Sequence, residues 1–260
     1  MIDLLTEEDF KLFTEFKITA MGSKLREMID DPSYDNKTFE EKVKELIDTE
    51  VAARQTRRIM KLNKEARFKV PSACVEDILY LPDRKLNKDR VMRYASCKWI
   101  EDCEVIVVIS KSGCGKSYLC QALGNAACRN LIDVRYTRLS DICSDLDQAR
   151  IAGDGSFYRK IDSYKTVSCL IVDDFLTTPI TTENAIDLFE IMEAREGRAA
   201  TMIASQLEPE EWYLRITGEL MADSILNRIA TGARYIDLDG PNMRKHFADQ
   251  IRKNEEEEDQ

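Results

Sequence analysis

One short segment carries the residues with the clearest chemistry, and it lies directly after an apolar run, 105–109. From Ser110 to Ser117 the segment follows the pattern G-x-x-x-x-G-K-[S/T], with Gly115 and Lys116 in place and Ser110 where the pattern has its first glycine. Backbone N–H groups in such a loop point inward and bind phosphates, and the N-terminus of the following helix helps. The segment therefore predicts a site for the phosphates of a nucleotide.

The side chains at the end of this loop predict how the nucleotide is held. Lys116 would reach the β- and γ-phosphates, and the Ser117 hydroxyl would ligate Mg²⁺. Ser110 resists the positive φ that glycine allows, so the pattern leaves open whether the loop is reshaped or one residue shorter. A chance glycine-rich turn is the alternative, and the strand–loop–helix context argues against it. We expect the nucleotide to contact the whole segment: Ser110, Lys111, Ser112, Gly113, Cys114, Gly115, Lys116, Ser117 and Tyr118.

A second motif follows the loop in the chain. The apolar run 170–172 ends in Asp173 and Asp174. Asp173 would hold the hydration shell of Mg²⁺, and Asp174 could orient or deprotonate an attacking water. A strand that ends in two aspartates is by itself commonplace and usually marks a cap or a turn. Because it follows the phosphate loop in the expected order, we favour the catalytic interpretation.

Four further polar residues, which lie on three segments, are weaker candidates for the site. The run 201–204 ends in Ser205 and Gln206, either of which could lie near a γ-phosphate, although a polar strand end is the simpler explanation. Arg228 stands between apolar neighbours, so it either pairs with a nearby acid or projects to a nucleotide across a subunit interface. Arg244 opens the last helix and offers another phosphate contact.

The elements that must position these residues alternate between strand-like and helical patterns from residue 105 onwards. Such alternation predicts a parallel sheet covered by helices, the α/β class. Near-continuous apolar runs fit strands that are buried on both faces. The expected strands are 105–109, 134–137, 169–172, 201–205 and 235–238.

The first third of the chain has a helical pattern instead. Thr38 and Glu41 form a capping box, which predicts a helix from about 39 to about 66. The second half of this helix is basic, and it either neutralises DNA phosphates or forms a solvated face beside Glu50 and Glu65. Basic residues of the later module, Arg135, Arg138 or Arg150, are equally good candidates for DNA contact. The candidates on the helix are Arg54, Arg57, Arg58, Lys61 and Lys64.

Composition limits the class of protein. The formal net charge of −10 argues against a wholly basic nucleic-acid binder, but local basic patches remain compatible with it. No apolar run is long enough to span a bilayer, and the first residues lack the basic start of a signal peptide. The eight cysteines form no C-x-x-C pair and His246 is the one histidine, which argues against a zinc site. We expect free thiols, a cytoplasmic location and no membrane association.

These motifs resemble those of the IstB/DnaC-like AAA+ ATPases, and within that family the sequence is most similar to the IstB helpers of insertion-sequence transposition. The resemblance runs from about residue 10 to about residue 250. It is carried by residues 113–124, 134–139, 205–207 with Glu211 and Trp212, and 242–245, and in the N-terminal part by residues 49–54 and 66–71.

The resemblance implies an AAA+ P-loop module with a parallel five-stranded sheet flanked by helices, preceded by a small all-helical N-terminal domain. It implies ATP and Mg²⁺ as cofactors, a homo-oligomer that assembles on double-stranded DNA, and a partner transposase. It also implies Ser205 as sensor 1, Arg228 as an arginine finger acting across a subunit interface, and Arg244 as sensor 2. Asp174 stands where many AAA+ proteins carry glutamate, so we expect slow hydrolysis. The expected domains are 1–70 (DNA contact and assembly), 71–250 (ATPase) and 251–260 (an acidic tail).

Two other functions remain open at this point. A DnaC-type loader of a replicative helicase would share the ATPase motifs, and the N-terminal region distinguishes it because this one matches IstB better. A small-molecule kinase would also use the phosphate loop. It would need an acceptor site or an arginine-rich lid, and neither is obvious in the sequence.

Overall fold

The computed structural model describes the backbone of residues 5–258 and the side chains of residues 5–252. The chain divides into two compact units, Met1–Lys61 and Leu62–Gln260. The functional division proposed from the sequence, with boundaries at residues 70 and 250, stays a prediction. Residues 259 and 260 of the expected acidic tail lie outside the described residues, and the last helix runs through the rest of it.

The first unit is helical. Its helices are α1 (Glu7–Glu15), α2 (Thr19–Asp30) and α3 (Phe39–Ala66), of which α3 continues into the second unit. The predicted capping box is confirmed, because the Glu41 N–H donates to the Thr38 hydroxyl at 3.3 Å and the Thr38 N–H donates to the Glu41 carboxylate at 2.8 Å. Two backbone donors at the start of α3 are thereby satisfied.

The second unit alternates strands and helices as the sequence predicts. Its five strands lie within one residue of the expected bounds, and no helix in the described part of the chain is long and apolar enough to cross a membrane. The elements are α4 (Lys88–Ala95), α5 (Lys98–Glu101), β1 (Val105–Ile109), α6 (Lys116–Arg129), β2 (Val134–Arg138), α7 (Leu139–Ala152), α8 (Ser156–Thr166), β3 (Cys169–Asp173), α9 (Thr182–Arg195), β4 (Ala200–Ser205), α10 (Pro209–Trp212), α11 (Glu219–Ala230), β5 (Arg234–Asp237) and α12 (Met243–Glu258).

All five strands are parallel, in the order β2-β3-β4-β1-β5. Their carboxyl ends therefore meet at one edge of the sheet, where the phosphate loop follows β1 and the two aspartates follow β3. Successive side chains of a strand point to opposite faces. Ile106 and Val108 pack against α6, whereas Val107 and Ile109 pack against the helices on the other face. Both faces are covered, which explains the uninterrupted apolar runs.

At the amino ends of the strands, a buried arginine joins several backbone segments. The side chain of Arg195, only 2% exposed, donates to the Tyr164 and Val167 carbonyls at 2.8 Å and to the Thr201 hydroxyl at 3.0 Å, and it also reaches the Ala200 carbonyl. Burial lowers the pKa of this guanidinium to about 10. The charge-assisted hydrogen bonds offset the cost of burying this charge. They also fix the starts of β3 and β4.

We expect Arg195→Met to lower the free energy of unfolding by about 3 kcal/mol, because the buried carbonyl groups would lose their charged donor. Urea denaturation followed by circular dichroism measures the change. Arg198→Met, at an exposed position three residues later, is the matched control and should change stability little. Equal unfolding curves for the two variants would contradict the structural role of Arg195.

Candidate nucleotide-binding site

The phosphate loop takes up the predicted conformation without help from a first glycine. The backbone is left-handed at Gly113 (φ 88°) and Gly115 (φ 93°), whereas Ser110 does not adopt a positive φ. The Ser110 N–H donates to the Ser205 carbonyl at 3.2 Å, and the Ser110 hydroxyl donates to the Lys111 carbonyl at 3.1 Å. Serine therefore fits the first position without backbone strain, and the loop keeps its full length between β1 and α6.

Two segments remote in the sequence hold the outer side of the loop. The Arg84 guanidinium donates to the Cys114 carbonyl at 2.8 Å, and the Met243 N–H at the start of α12 donates to the Gly113 carbonyl at 2.9 Å. A Cβ atom on Gly113 would lie 2.5 Å from the Asn242 side chain, so this position requires glycine. Both hydrogen bonds use carbonyl groups of the loop, so the backbone N–H groups of the loop remain available for phosphates. No sequence pattern marked Arg84, because its partner lies thirty residues further along the chain.

Lys116 begins α6 with a side chain that is only 8% exposed. Its ammonium lies 3.5 Å from the Asp174 carboxylate, whose other oxygen lies 3.2 Å from the Arg138 guanidinium at the end of β2. A buried ammonium needs a nearby negative charge. Asp174 supplies that charge here, in the place where phosphates of a nucleotide would supply it. The left-handed backbone at Asp174 (φ 50°) is a conformation that aspartate tolerates better than most residues.

Asp173 is almost fully buried and held by two donors. The Tyr136 hydroxyl donates to one carboxylate oxygen at 2.6 Å, and the Asp174 N–H donates to the other at 2.9 Å. Burial, and then the bond to Asp173, raise the pKa of Tyr136 well above its usual value, so its hydroxyl keeps the donated proton. Parallel pairing of β2 with β3 places the two side chains together. Tyr136 had no assigned role from the sequence, although the period of two in strand β2 places it on the same face as the apolar Val134.

The residues present fit a magnesium ion. Mg²⁺ prefers oxygen ligands and keeps several of its waters. The Ser117 hydroxyl, in the first turn of α6, and the fixed Asp173 carboxylate at the end of β3 are oxygen groups at the same edge of the sheet. Each Asp173 oxygen accepts one of the hydrogen bonds from Tyr136 and Asp174 and keeps a further lone pair that could accept a bond from a metal-bound water.

The structure distinguishes the two polar residues at the end of β4. The Ser205 hydroxyl is fully buried, donates to the Phe175 carbonyl at 2.9 Å, and accepts bonds from the Leu207 N–H and the Trp212 indole. Gln206 is exposed and lines a cavity of about 580 Å³ together with Arg138 and Asp174, among other residues. Of these two residues at the end of β4, Gln206 is therefore the one with an exposed side chain. The role of Ser205 stays a prediction.

Arg228 lies far from the phosphate loop of its own chain. Its guanidinium is 3.2 Å from Glu193 and 3.3 Å from Glu196, and it lines a cavity with Val105 and Thr201, which stand at the amino ends of β1 and β4. The loop occupies the opposite edge of the sheet. These two acids fit the first alternative from the sequence, in which Arg228 pairs with a nearby acid. The role of Arg228 across a subunit interface stays a prediction.

Arg244 lies at the same edge as the loop. It follows Met243, whose N–H binds the Gly113 carbonyl, and its own N–H donates to the Asn242 side chain at 3.0 Å. The Arg244 side chain is exposed. The start of α12 therefore brings this cation close to the phosphate loop, and its assignment as a phosphate contact stays a prediction.

The basic half of α3 is partly occupied by internal ion pairs. Glu50 is buried, and its carboxylate accepts bonds from Arg54 at 2.9 Å and from Arg57 at 3.1 Å, which lower the pKa of Glu50. Arg58 and Lys64 are exposed. DNA contact by this helix therefore stays a prediction, and two of its five candidate residues have a structural role in addition.

A parallel sheet with a phosphate loop after β1 and an acidic pair after β3 defines a P-loop ATPase module of the AAA+ type. The family described as IstB-like ATP binding protein matches residues 12–250, which is most of the chain. The chain belongs to this family.

Two curated relatives are named as insertion sequence ATP-binding proteins. The chain is 30% identical to one from Sinorhizobium fredii, over 93% of this chain and 96% of the relative. It is 31% identical to one from Pseudomonas fluorescens, over 78% of this chain and 87% of the relative. These matches span nearly the whole length of both relatives.

Solved structures show the same fold at low sequence identity. A DNA replication initiation factor matches with a TM-score of 0.56 and 18% identity over 71% of this chain, which spans about half (55%) of that protein. DnaI matches with a TM-score of 0.55 and 19% identity over 66% of this chain and 90% of that one. The DnaC helicase loader matches with a TM-score of 0.54 and 11% identity, over 64% and 97%.

We expect Lys116→Ala to weaken ATP binding about 100-fold, because the phosphates would lose a charge-assisted donor with a contribution of about 3 kcal/mol. Isothermal titration calorimetry measures the affinity. Lys88→Ala, on the surface of α4, is the control and should bind ATP like the unaltered protein. Equal affinities for both variants would refute the assignment of the loop.

We expect Tyr136→Phe to raise the Mg²⁺ concentration needed for half-maximal ATP turnover about tenfold, because one donor that orients Asp173 is lost. The measurement is a magnesium titration at saturating ATP. Tyr158→Phe removes a hydroxyl from an exposed ring and serves as the control. A Tyr136→Phe variant with an unchanged magnesium dependence would show that Asp173 needs no such support.

Proposed function

We propose that this chain is an ATP-hydrolysing, DNA-binding regulator that assembles on duplex DNA and assists a transposase in the movement of an insertion sequence. The observation that carries the proposal is the complete phosphate loop, docked against α12, in a chain whose relatives are named for insertion sequences. We also infer a cytoplasmic site of action, where DNA is accessible.

Hydrolysis would use the groups at the carboxyl edge of the sheet. Lys116 would bind the β- and γ-phosphates, while Ser117 and Asp173 would hold Mg²⁺, which supplies charge neutralisation of the phosphates. Asp174 would orient or deprotonate the attacking water, with Gln206 beside it. Asp174 first has to leave the ion pairs with Lys116 and Arg138. This requirement supports slow hydrolysis in the absence of a partner.

Arg228 would complete the site of a neighbouring subunit. It stands at the opposite edge of the sheet from its own loop, so a head-to-tail arrangement of subunits is the geometry that would bring it to a nucleotide. A cation that stabilises charge in phosphoryl transfer raises the rate by orders of magnitude. ATP turnover would then depend on assembly.

Mixing two inactive variants tests this proposal. Lys116→Ala should bind ATP about 100-fold more weakly, so that its own loop stays largely empty, and Arg228→Ala should bind ATP without turning it over. Their mixture on duplex DNA should regain a fraction of the turnover, because an intact loop then meets an intact Arg228. Each variant alone is the control, and size-exclusion chromatography with ATP and DNA should show assembly. A mixture as inactive as its components would exclude Arg228 as a residue shared between subunits, and a monomer under all conditions would exclude assembly.

The second candidate function is a loader of a replicative helicase. The observation that favours it is the fold shared with DnaI and the DnaC helicase loader, which at 19% and 11% identity shows the fold alone. Stable binding to a replicative helicase, together with no binding to duplex DNA, would favour the loader over the transposition regulator.

A further inference from the structure

Three cations line one small cavity, and one of them, Arg135, is a candidate for DNA contact from the sequence. Arg67, Lys69 and Arg135 line a space of about 230 Å³, which Thr137 and Tyr164 also border. Arg135 belongs to β2, one of the two edge strands of the sheet. All of these residues lie in the second unit, so the cavity is formed within one compact body.

The burial and the contacts of Arg135 are those expected of a side chain that binds a ligand. Its side chain is half-buried, and within residues 5–252 no hydrogen bond or ion pair engages it. Burial lowers the pKa of its guanidinium, and the neighbouring Arg67 lowers it further, although Asp145 and Glu65 act in the opposite direction. A guanidinium that is partly desolvated beside another cation is stabilised when an anion binds.

Other half-buried or buried arginines of this unit are already engaged. Arg84 donates to the Cys114 carbonyl, Arg150 donates to the Asp187 carboxylate at 2.8 Å, and Arg195 donates to backbone carbonyls. Each of these has a structural partner inside the fold. Arg135 differs because it lines the cavity and has no such partner among the described residues.

The acids that border the cavity do not cancel its positive charge. Asp145 is held by the Lys160 ammonium at 3.4 Å and by the Tyr164 hydroxyl at 3.0 Å. Asp141 stands at the exposed rim. Three cations therefore face two carboxylates, of which one is already paired with a fourth cation.

The segment that presents Arg67 and Lys69 is fixed rather than a free loop. Phe68, between them, is buried, and the Val70 N–H donates to the Gln121 side chain at 2.8 Å. Arg67 has a left-handed backbone (φ 60°), a conformation that costs energy in arginine and persists where the surroundings enforce it. Phe68 is buried, and the residues on either side of it are exposed. Arg67 and Lys69 are therefore both accessible on the same short segment.

We propose that Arg67, Lys69 and Arg135 form a binding site for a phosphate of the nucleic-acid backbone. This inference rests on the proposed DNA binding and gives it a location in the second unit. A backbone phosphate fits better than a small soluble anion, because two of the three cations, Arg67 and Lys69, are exposed to solvent and the cavity lies beside an edge strand of the sheet, where a long polyanion has access. The same strand ends at Arg138, which pairs with Asp174, so a strand of DNA here would lie beside the ATP site.

Duplex binding over a series of salt concentrations tests the site. The Arg67→Gln and Lys69→Gln double variant should show a plot of log K against log salt that is less steep by about one unit, because one phosphate contact is lost. The matched control is Lys98→Gln with Arg198→Gln, which removes the same two residue types from exposed positions before β1 and β4. The control should keep the slope of the unaltered protein, and both variants should keep the ATP affinity.

Arg135 requires variants that separate binding from folding. Arg135→Gln should lower the slope like the double variant, while Arg135→Lys, which keeps the charge, should restore most of it; thermal unfolding checks that both are folded. If the unaltered protein does not bind duplex DNA, the proposed function fails. If it binds and the variants bind with an unchanged slope, only this site is overturned. A loss of ATP affinity in the double variant would also overturn it, because the anion would then be a nucleotide.

Discussion

The buried ammonium of Lys116 is the constraint on which the rest of the site depends. A positive charge in a nearly closed position must have a negative partner, and the fold places Asp174 within 3.5 Å of it. The phosphates of ATP would compete for the same charge. Binding of a nucleotide would therefore exchange one counter-charge of Lys116 for another, and it would release Asp174 from Lys116, which leaves the pair with Arg138 to be broken before hydrolysis.

The phosphate loop also connects the two ends of the second unit. Arg84, before the sheet, and Met243, after it, bind adjacent stretches of the loop backbone. Movement of either segment would change the same hydrogen bonds. This arrangement would link the state of the nucleotide to the region that precedes the sheet and to α12.

In this acidic chain, the position of each arginine in the fold says more about its role than the total charge does. Arg195 and Arg84 are structural, whereas Arg228 lines a cavity at the amino ends of β1 and β4, and Arg135 lines a cavity beside the edge strand β2. We propose a nucleotide on a neighbouring subunit as the ligand of Arg228 and a polyanion as the ligand of Arg135. The net charge of the whole protein gives no indication of either.

Local chemistry allowed much of the structure to be predicted from the sequence. The capping box at Thr38, the five strands and the phosphate loop depend on residues close together in the chain, so their patterns were sufficient and the fold class is confirmed. Contacts between distant residues could not be predicted in this way. The support of Asp173 by Tyr136, the bond from Arg84 to the loop and the commitment of the Ser205 hydroxyl inside the fold follow from strand order and packing.

The sequence by itself was sufficient to predict a site for a nucleotide phosphate at Ser110–Ser117, because spacing along a single loop defines that chemistry. Tertiary structure decided what surrounds the site. It showed that Ser110 needs no positive φ, that Gln206 rather than Ser205 faces the open cavity, and that Arg228 lies at the far edge of the sheet. Parallel pairing brings residues together regardless of their separation in the chain, and no pattern within one segment contains that information.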